Sequence, residues 1–424
     1  MNLSMSDKQY DTLIIGAGAA GLMAGIQAAG RGKQVLILEK MERPGRKLLI
    51  TGKGRCNVTN CCTVEDFMLN VLSNKRFLYS SLNALNPYEV MGFFEDCGVA
   101  LKVERGERVF PVSDRSADIV DALVNKAQQS GCRITRACVK ELVLDTNSEG
   151  KLSVCGVITE DGQTIHASSV IVATGGKSYP ATGSTGDGYR LARQAGHKVT
   201  PLRPSLIPLV CKEKICRDMM GLSLKNVILK VVDTRSGKEV FSELGEMLFT
   251  HFGVSGPLVL SASCHMQPDK NGSLEHYKLY IDWKPALSHQ QLDARILRDF
   301  EQFINKDFIN SLGLLLPKKS IQIIASLSGI PFDTKINQIT KAQRTALVDI
   351  IKAMPLTPTA FRPIEEAIVT AGGVDVSQIN PKTMESKLAS GLYFAGEVLD
   401  VDGYTGGFNL QIAFSTGFAA GTYC

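Results

Sequence analysis

The chain has 424 residues, 44% of them hydrophobic and 21% charged, and a formal net charge of +5. That length exceeds one ordinary core, so two or three domains are expected. No apolar run approaches a membrane span, and residues 1–11 lack a signal-peptide core, so a cytoplasmic protein without membrane contact is expected. Eleven cysteines with no CxxC pair and no Cys/His cluster argue for free thiols and no metal centre. The charge is uneven: residues 201–355 hold 20 Lys/Arg against 15 Asp/Glu, and the remainder is neutral. A basic insert fits contact with phosphates, and it also fits lysines that merely keep a surface soluble.

The N-terminal pattern is an apolar strand running into Gly16, Gly18 and Gly21 at G-x-G-x-x-G spacing. A helical stretch beginning at Ala19 and Ala20 follows, then a second strand ends in Glu39 and Lys40. This is a complete βαβ unit for binding a dinucleotide. Gly16 permits the tight turn, Gly18 admits the pyrophosphate, and Gly21 lets helix and strand approach. The helix N-terminus offers amides to the phosphates, and Glu39 accepts from ribose hydroxyls, which disfavours a 2′-phosphate.

A nicotinamide dehydrogenase would continue with further βαβ units. Here residues 44–60 instead read as a loop dense in glycine, cations and small polar groups. Arg46, Lys47, Thr51, Gly52, Gly54, Arg55, Cys56 and Asn57 are the candidates there for wrapping a flavin, so FAD is the expected cofactor. A strand ending in Ala173, Thr174, Gly175 and Gly176, and a Thr185-Gly-Asp-Gly loop that opens a helix, suit the same crevice. Near the C-terminus a strand ends in Gly396 and Glu397. The loop after it carries Gly406, Gly407, Phe408, Asn409 and Leu410 into a last apolar helix, whose N-terminus suits the flavin pyrimidine edge.

These motifs resemble glutathione-reductase-type flavoproteins, fumarate reductases among them. More closely, GRKLLITGKGRCNVTN, GEMLFTHFGVSGP and AGEVLDVDGYTGGFNLQIAFSTGFAAG resemble one bacterial flavoprotein family. It includes ribosomal RNA dihydrouridine synthases, bile-acid Δ4,6-reductase-like proteins and aminoacetone oxidases. The resemblance covers essentially the whole chain. It implies an α/β fold: a Rossmann FAD domain interrupted by an inserted β-rich domain with a small helical part. The expected bounds are 1–200 and 356–424 for the flavin domain, 201–287 and 351–355 for the β-rich insert, and 288–350 for its helical part.

Within the insert, residues 227–232 and 278–282 read as strands. Leu292, Ile296 and Phe300 mark one helical face with Phe303 beside it, and Pro355 and Pro358 mark the return to the flavin domain.

Flavin chemistry needs few protein groups beyond a proton donor. Cys56, Tyr404, His251 and Asp402 are the candidates. Arg55 beside Cys56 would lower the thiol's pKa, although an inert residue packed on the flavin fits equally. Tyr404 would serve equally by stacking on the ring, and His251, in an apolar stretch, as a structural histidine. Cys56 and Cys61 have the C-x4-C spacing of redox disulfides, but no second glycine fingerprint and no C-terminal histidine accompany them.

The expected reaction carries hydride from NADH or NADPH, visiting transiently, through FAD to an activated C=C bond. Ribosomal RNA uridine, contacted through the basic insert, is the first substrate expectation. A small-molecule enone reductase, an amine (aminoacetone) oxidase, and an RNA-binding protein with structural FAD are the alternatives.

Overall fold

A computed structural model describes residues 9–146 and 150–424. They form two compact units, residues 9–205 with Ile364–Cys424, and Leu206–Pro363. No helix among the described residues is long and apolar enough to cross a membrane.

The first unit is built on strand Tyr10–Ile15, helix Ala19–Gly30 and strand Val35–Glu39. Tyr10–Ile15 lies parallel between Val35–Glu39 and Thr164–Val172, with Arg133–Arg136 beyond the former and Leu392–Phe394 beyond the latter. Leu13, Ile14, Leu36, Ile37, Val170, Ile171 and Val172 are fully buried. A strand covered on both faces needs such an unbroken apolar run, not an alternating one. Leu152–Thr159 and Val139–Thr146 extend the sheet as antiparallel strands. Helix Phe408–Tyr423, apolar nearly all round, packs on Ala19–Gly30.

The second unit has its own core, with Leu229, Val231, Phe249, Leu279 and Ile281 at its centre. Strands Ser223–Asp233 and Tyr277–Asp282 contain the two expected from the sequence. Between them in the chain lies Lys238–Phe249, paired with Ser223–Asp233. Met354–Leu356 pairs with Tyr277–Asp282 at one end of the sheet, and Pro358–Phe361 pairs with Leu209–Cys211 at the other. Thr357 joins these two pieces, so one continuous segment borders both ends of the sheet, which curls it into a barrel. Pro355 and Pro358 therefore sit in this segment, and the unit runs on to Pro363. Helices His289–Glu301, Lys318–Leu327 and Lys341–Lys352 complete the unit, with Leu292, Ile296 and Phe300 buried on one face.

Candidate flavin site

The register of the parallel strands brings their C-terminal ends to one edge, Ile15 opposite Val172 and Val172 opposite Phe394. The loops beginning at Gly16, Lys40, Ala173 and Ala395 all leave from that edge. This is the crevice where open α/β sheets take their ligands. A Cβ on Gly21 would overlap the Gly16 carbonyl, whereas a Cβ on Gly18 would meet nothing within 4 Å. One glycine is thus required for packing, and the other leaves space in front of the backbone. Helix Ala19–Gly30 begins there with no side-chain cap. Glu39 accepts from the Ala17 N–H at 2.8 Å and the Met41 N–H at 2.9 Å. A carboxylate has about four acceptor positions, so two remain for ribose hydroxyls. The uncapped helix, the open glycine and this carboxylate fit FAD.

A second set of predicted residues is stitched together from distant segments. Asn60 Nδ2 donates to the Gly406 carbonyl at 3.1 Å, and Thr59 Oγ1 donates to Gln411 Oε1 at 2.6 Å. Asn57, with its amide oriented to satisfy both ends, accepts from the Gly407 N–H at 3.0 Å. Asn409 Oδ1 accepts from the Gly403 N–H, and its Nδ2 donates to the Gly403 and Tyr404 carbonyls. Phe408 is buried with its ring edge-on to Phe67. The chain at residues 57–60 and the turn opening helix Phe408–Tyr423 are therefore held side by side, and Gly407 leaves that helix without a side-chain cap.

Lys47 and Glu397 meet each other directly. Lys47 Nζ lies 2.6 Å from Glu397 Oε2 and donates to Ser178 Oγ at 2.6 Å. Ser178 Oγ and the Thr370 N–H both donate to Glu397 Oε1, at 3.0 and 2.9 Å. Ser178 and Thr370 escaped the sequence reading. Ser178 follows the Gly175-Gly176 turn by two residues, and Thr370 precedes the Ala371-Gly372-Gly373 run by which the chain returns toward the cofactor; these are the signals available. Lys40 in turn bonds Thr185 and Asp187, tying the second strand to the Thr185-Gly-Asp-Gly loop.

The remaining predicted residues sit either differently from expectation or in places that leave the expectation open. Arg55 does not attend Cys56: its guanidinium pairs with Glu104 and Asp114 and lies 4.1 Å above the Phe110 ring. Cys56 is fully buried, and burial pushes its thiol up to about 12, the opposite of the expected activation. Residues 44–60 are not simply a loop, since Arg46–Ile50 is a short helix and Thr59–Asn60 a strand. His251 belongs to the second unit, where it is exposed against the edge of Phe252 at 5.0 Å instead of packed in an apolar stretch. Arg46 is exposed and Leu410 half-buried. Asp402 is buried, with Oδ2 accepting from Ser205 Oγ at 2.7 Å and Oδ1 without a partner.

Comparison with known proteins decides the class. The family model described as the HI0933-like protein Rossmann domain matches residues 10–423. The chain belongs to the HI0933-like family. It is 34% identical to the ribosomal RNA dihydrouridine synthase of Haemophilus influenzae, over 97% of this chain and 98% of that one. It is 34% identical to the 3-dehydro-bile acid delta(4,6)-reductase of Clostridium scindens, over 96% and 97%. The 3-ketosteroid delta1-dehydrogenase of Sterolibacterium denitrificans superposes with a TM-score of 0.51 at 13% identity, covering 97% of this chain and 98% of that one. That likeness concerns the fold alone. As an HI0933-like protein with this Rossmann core, the chain is an FAD-dependent oxidoreductase.

Proposed function

We propose that the protein passes hydride from NADH or NADPH, by way of FAD, to an activated C=C bond, and that this bond is uridine C5=C6 in ribosomal RNA. The near-full-length similarity to a ribosomal RNA dihydrouridine synthase carries the reading. Bound FAD supplies the two-electron relay. The chain supplies the rest. Gly18 and the first turn of helix Ala19–Gly30 face the pyrophosphate, Glu39 the ribose, and the turn at Gly406 and Gly407 the pyrimidine end. Of the proton-donor candidates, Tyr404 sits in the turn clamped by Asn409, whereas Cys56 is withdrawn because its thiol is buried and hard to ionise. The reading places the protein in the cytoplasm with its RNA.

Anaerobic mixing with NADH or NADPH should bleach the oxidised-flavin absorbance band. RNA from a deletion strain should lack a dihydrouridine that returns on complementation, and identical dihydrouridine in both strains would sink the substrate assignment. The equally similar bile-acid reductase supports a second reading, an enone reductase. Turnover of a steroid enone, with unchanged RNA in the deletion strain, would establish it instead.

A further inference from the structure

We infer that one face of the second unit, around Lys214, Arg217, Lys318 and Lys319, is the surface on which RNA phosphates dock. The inference rests on the RNA reading above and locates it in the molecule.

Residues 206–363 hold 20 Lys/Arg and 15 Asp/Glu, a surplus of five. Six of these twenty cations are neutralised locally. Lys230 pairs with Glu239, Arg235 with Asp233, Arg295 with Asp299, Lys335 with Asp307, Arg344 with Asp293 and Lys352 with Asp282. Other cations of the unit also lack an ion pair among the described residues, but two short segments concentrate them. Residues 212–225 and 317–319 together hold six cations against two acids, so most of the surplus resides in them.

The fold brings these segments together. The Arg217 N–H donates to the Lys214 carbonyl at 2.9 Å, and the Met220 N–H to the Arg217 carbonyl at 3.0 Å, forming one tight turn. Lys319 Nζ donates to the Met220 carbonyl at 3.0 Å, which docks the start of helix Lys318–Leu327 on that turn. Lys212, Lys214, Arg217, Lys225, Lys318 and Lys319 are all exposed, and among the described residues none has a carboxylate within ion-pair distance. Of the acids, Glu213 is engaged with the Thr357 N–H, and Asp218 is exposed. Glu246 lies on the strand paired with that of Lys225.

The helix start sharpens the case. Two lysines open helix Lys318–Leu327, and its first turn has no acid. Cations there oppose the helix dipole, so the arrangement costs the isolated protein stability and is relieved when an anion arrives. Exposed Met220, at the centre, gives an apolar contact beside the charges. A polyanion with regularly spaced phosphates suits such a cluster, and releasing its counterions drives the binding.

The test compares three full-length, FAD-loaded proteins binding a single-stranded, uridine-rich RNA oligonucleotide across a salt series. They are the parent, Lys214→Gln/Arg217→Gln/Lys318→Gln/Lys319→Gln, and a control, Lys238→Gln/Lys270→Gln/Arg298→Gln/Lys341→Gln. Both variants remove the same charge from exposed positions of the same unit. The docking-face variant should flatten the slope of log K against log salt by about 3, and weaken binding at least tenfold at low salt. Its FAD-sensitive melting transition and NAD(P)H bleaching should match the parent, and the control should keep nearly the parent's slope. Equal losses in both variants, an unchanged docking-face variant, or a parent that binds no RNA would each overturn the inference. If binding follows the prediction while deletion-strain RNA keeps its dihydrouridine, the docking face stands and the substrate assignment alone falls.

Discussion

Cys56 shows how far a neighbour in sequence is from a neighbour in space. Arg55 precedes it, yet the backbone turns the two side chains apart: the cation goes to Glu104 and Asp114, and the thiol goes into the core. Desolvation disfavours the thiolate, while a hydrogen bond with Thr51 opposes it only weakly, so the thiol stays protonated up to about 12. Thiolate is the reactive form. Iodoacetamide at pH 8 should therefore leave Cys56 unmodified in the native protein and alkylate it once denatured. The raised value favours the folded state below pH 9, and the advantage fades as pH climbs from 9 toward 12, where only the unfolded chain has lost the proton. Native labelling of Cys56 as fast as that of an exposed thiol would contradict the burial argument. Glycine roles at 16, 18 and 21 were legible because they depend on local backbone geometry. The Lys47–Glu397 pair was not, since 350 positions separate its members and neither neighbourhood names the other.

At the scale of elements, the parallel strands could be read because burial on both faces leaves an unbroken apolar run. Strand Lys238–Phe249 was harder to see, as Glu239, Glu243, Gly245 and Glu246 interrupt its alternation. The segment bordering both ends of the barrel sheet was hidden by Pro355 and Pro358, which normally signal an exit from regular structure. The C-terminal helix was legible as a helix, but not its contact. A methyl on Gly417 would overlap the Ala20 carbonyl, and one on Gly421 the Ala24 carbonyl. Two helices therefore touch backbone to backbone, and each begins at a turn assigned to the cofactor. Replacing Gly417 with Ala should force them apart, lower stability by about 1–3 kcal/mol, and reduce FAD occupancy with it. Thermal melts and the ratio of flavin to protein absorbance measure both, and a variant with parental values would show that the helices accommodate the methyl freely.

For the molecule as a whole, the two hydrophobic cores make independent behaviour testable. Each unit has its own buried cluster: one centred on the parallel sheet, the other on the barrel and its helices. A chain with two such cores need not melt in one step. Every cofactor residue proposed here lies in the unit formed by the chain ends. A ligand that binds only a folded state stabilises it by about 2.7 kcal/mol at 100 times its dissociation constant. Calorimetry of the apoprotein should then resolve two transitions. FAD should raise one of them by about 5–10 °C and leave the other in place. The docking-face substitutions lie in the barrel unit, so they should leave the FAD-sensitive transition where it is. If both transitions moved together with FAD, the two cores would be melting as one cooperative body, and cofactor binding would stabilise the insert as strongly as the domain that holds the glycine fingerprint.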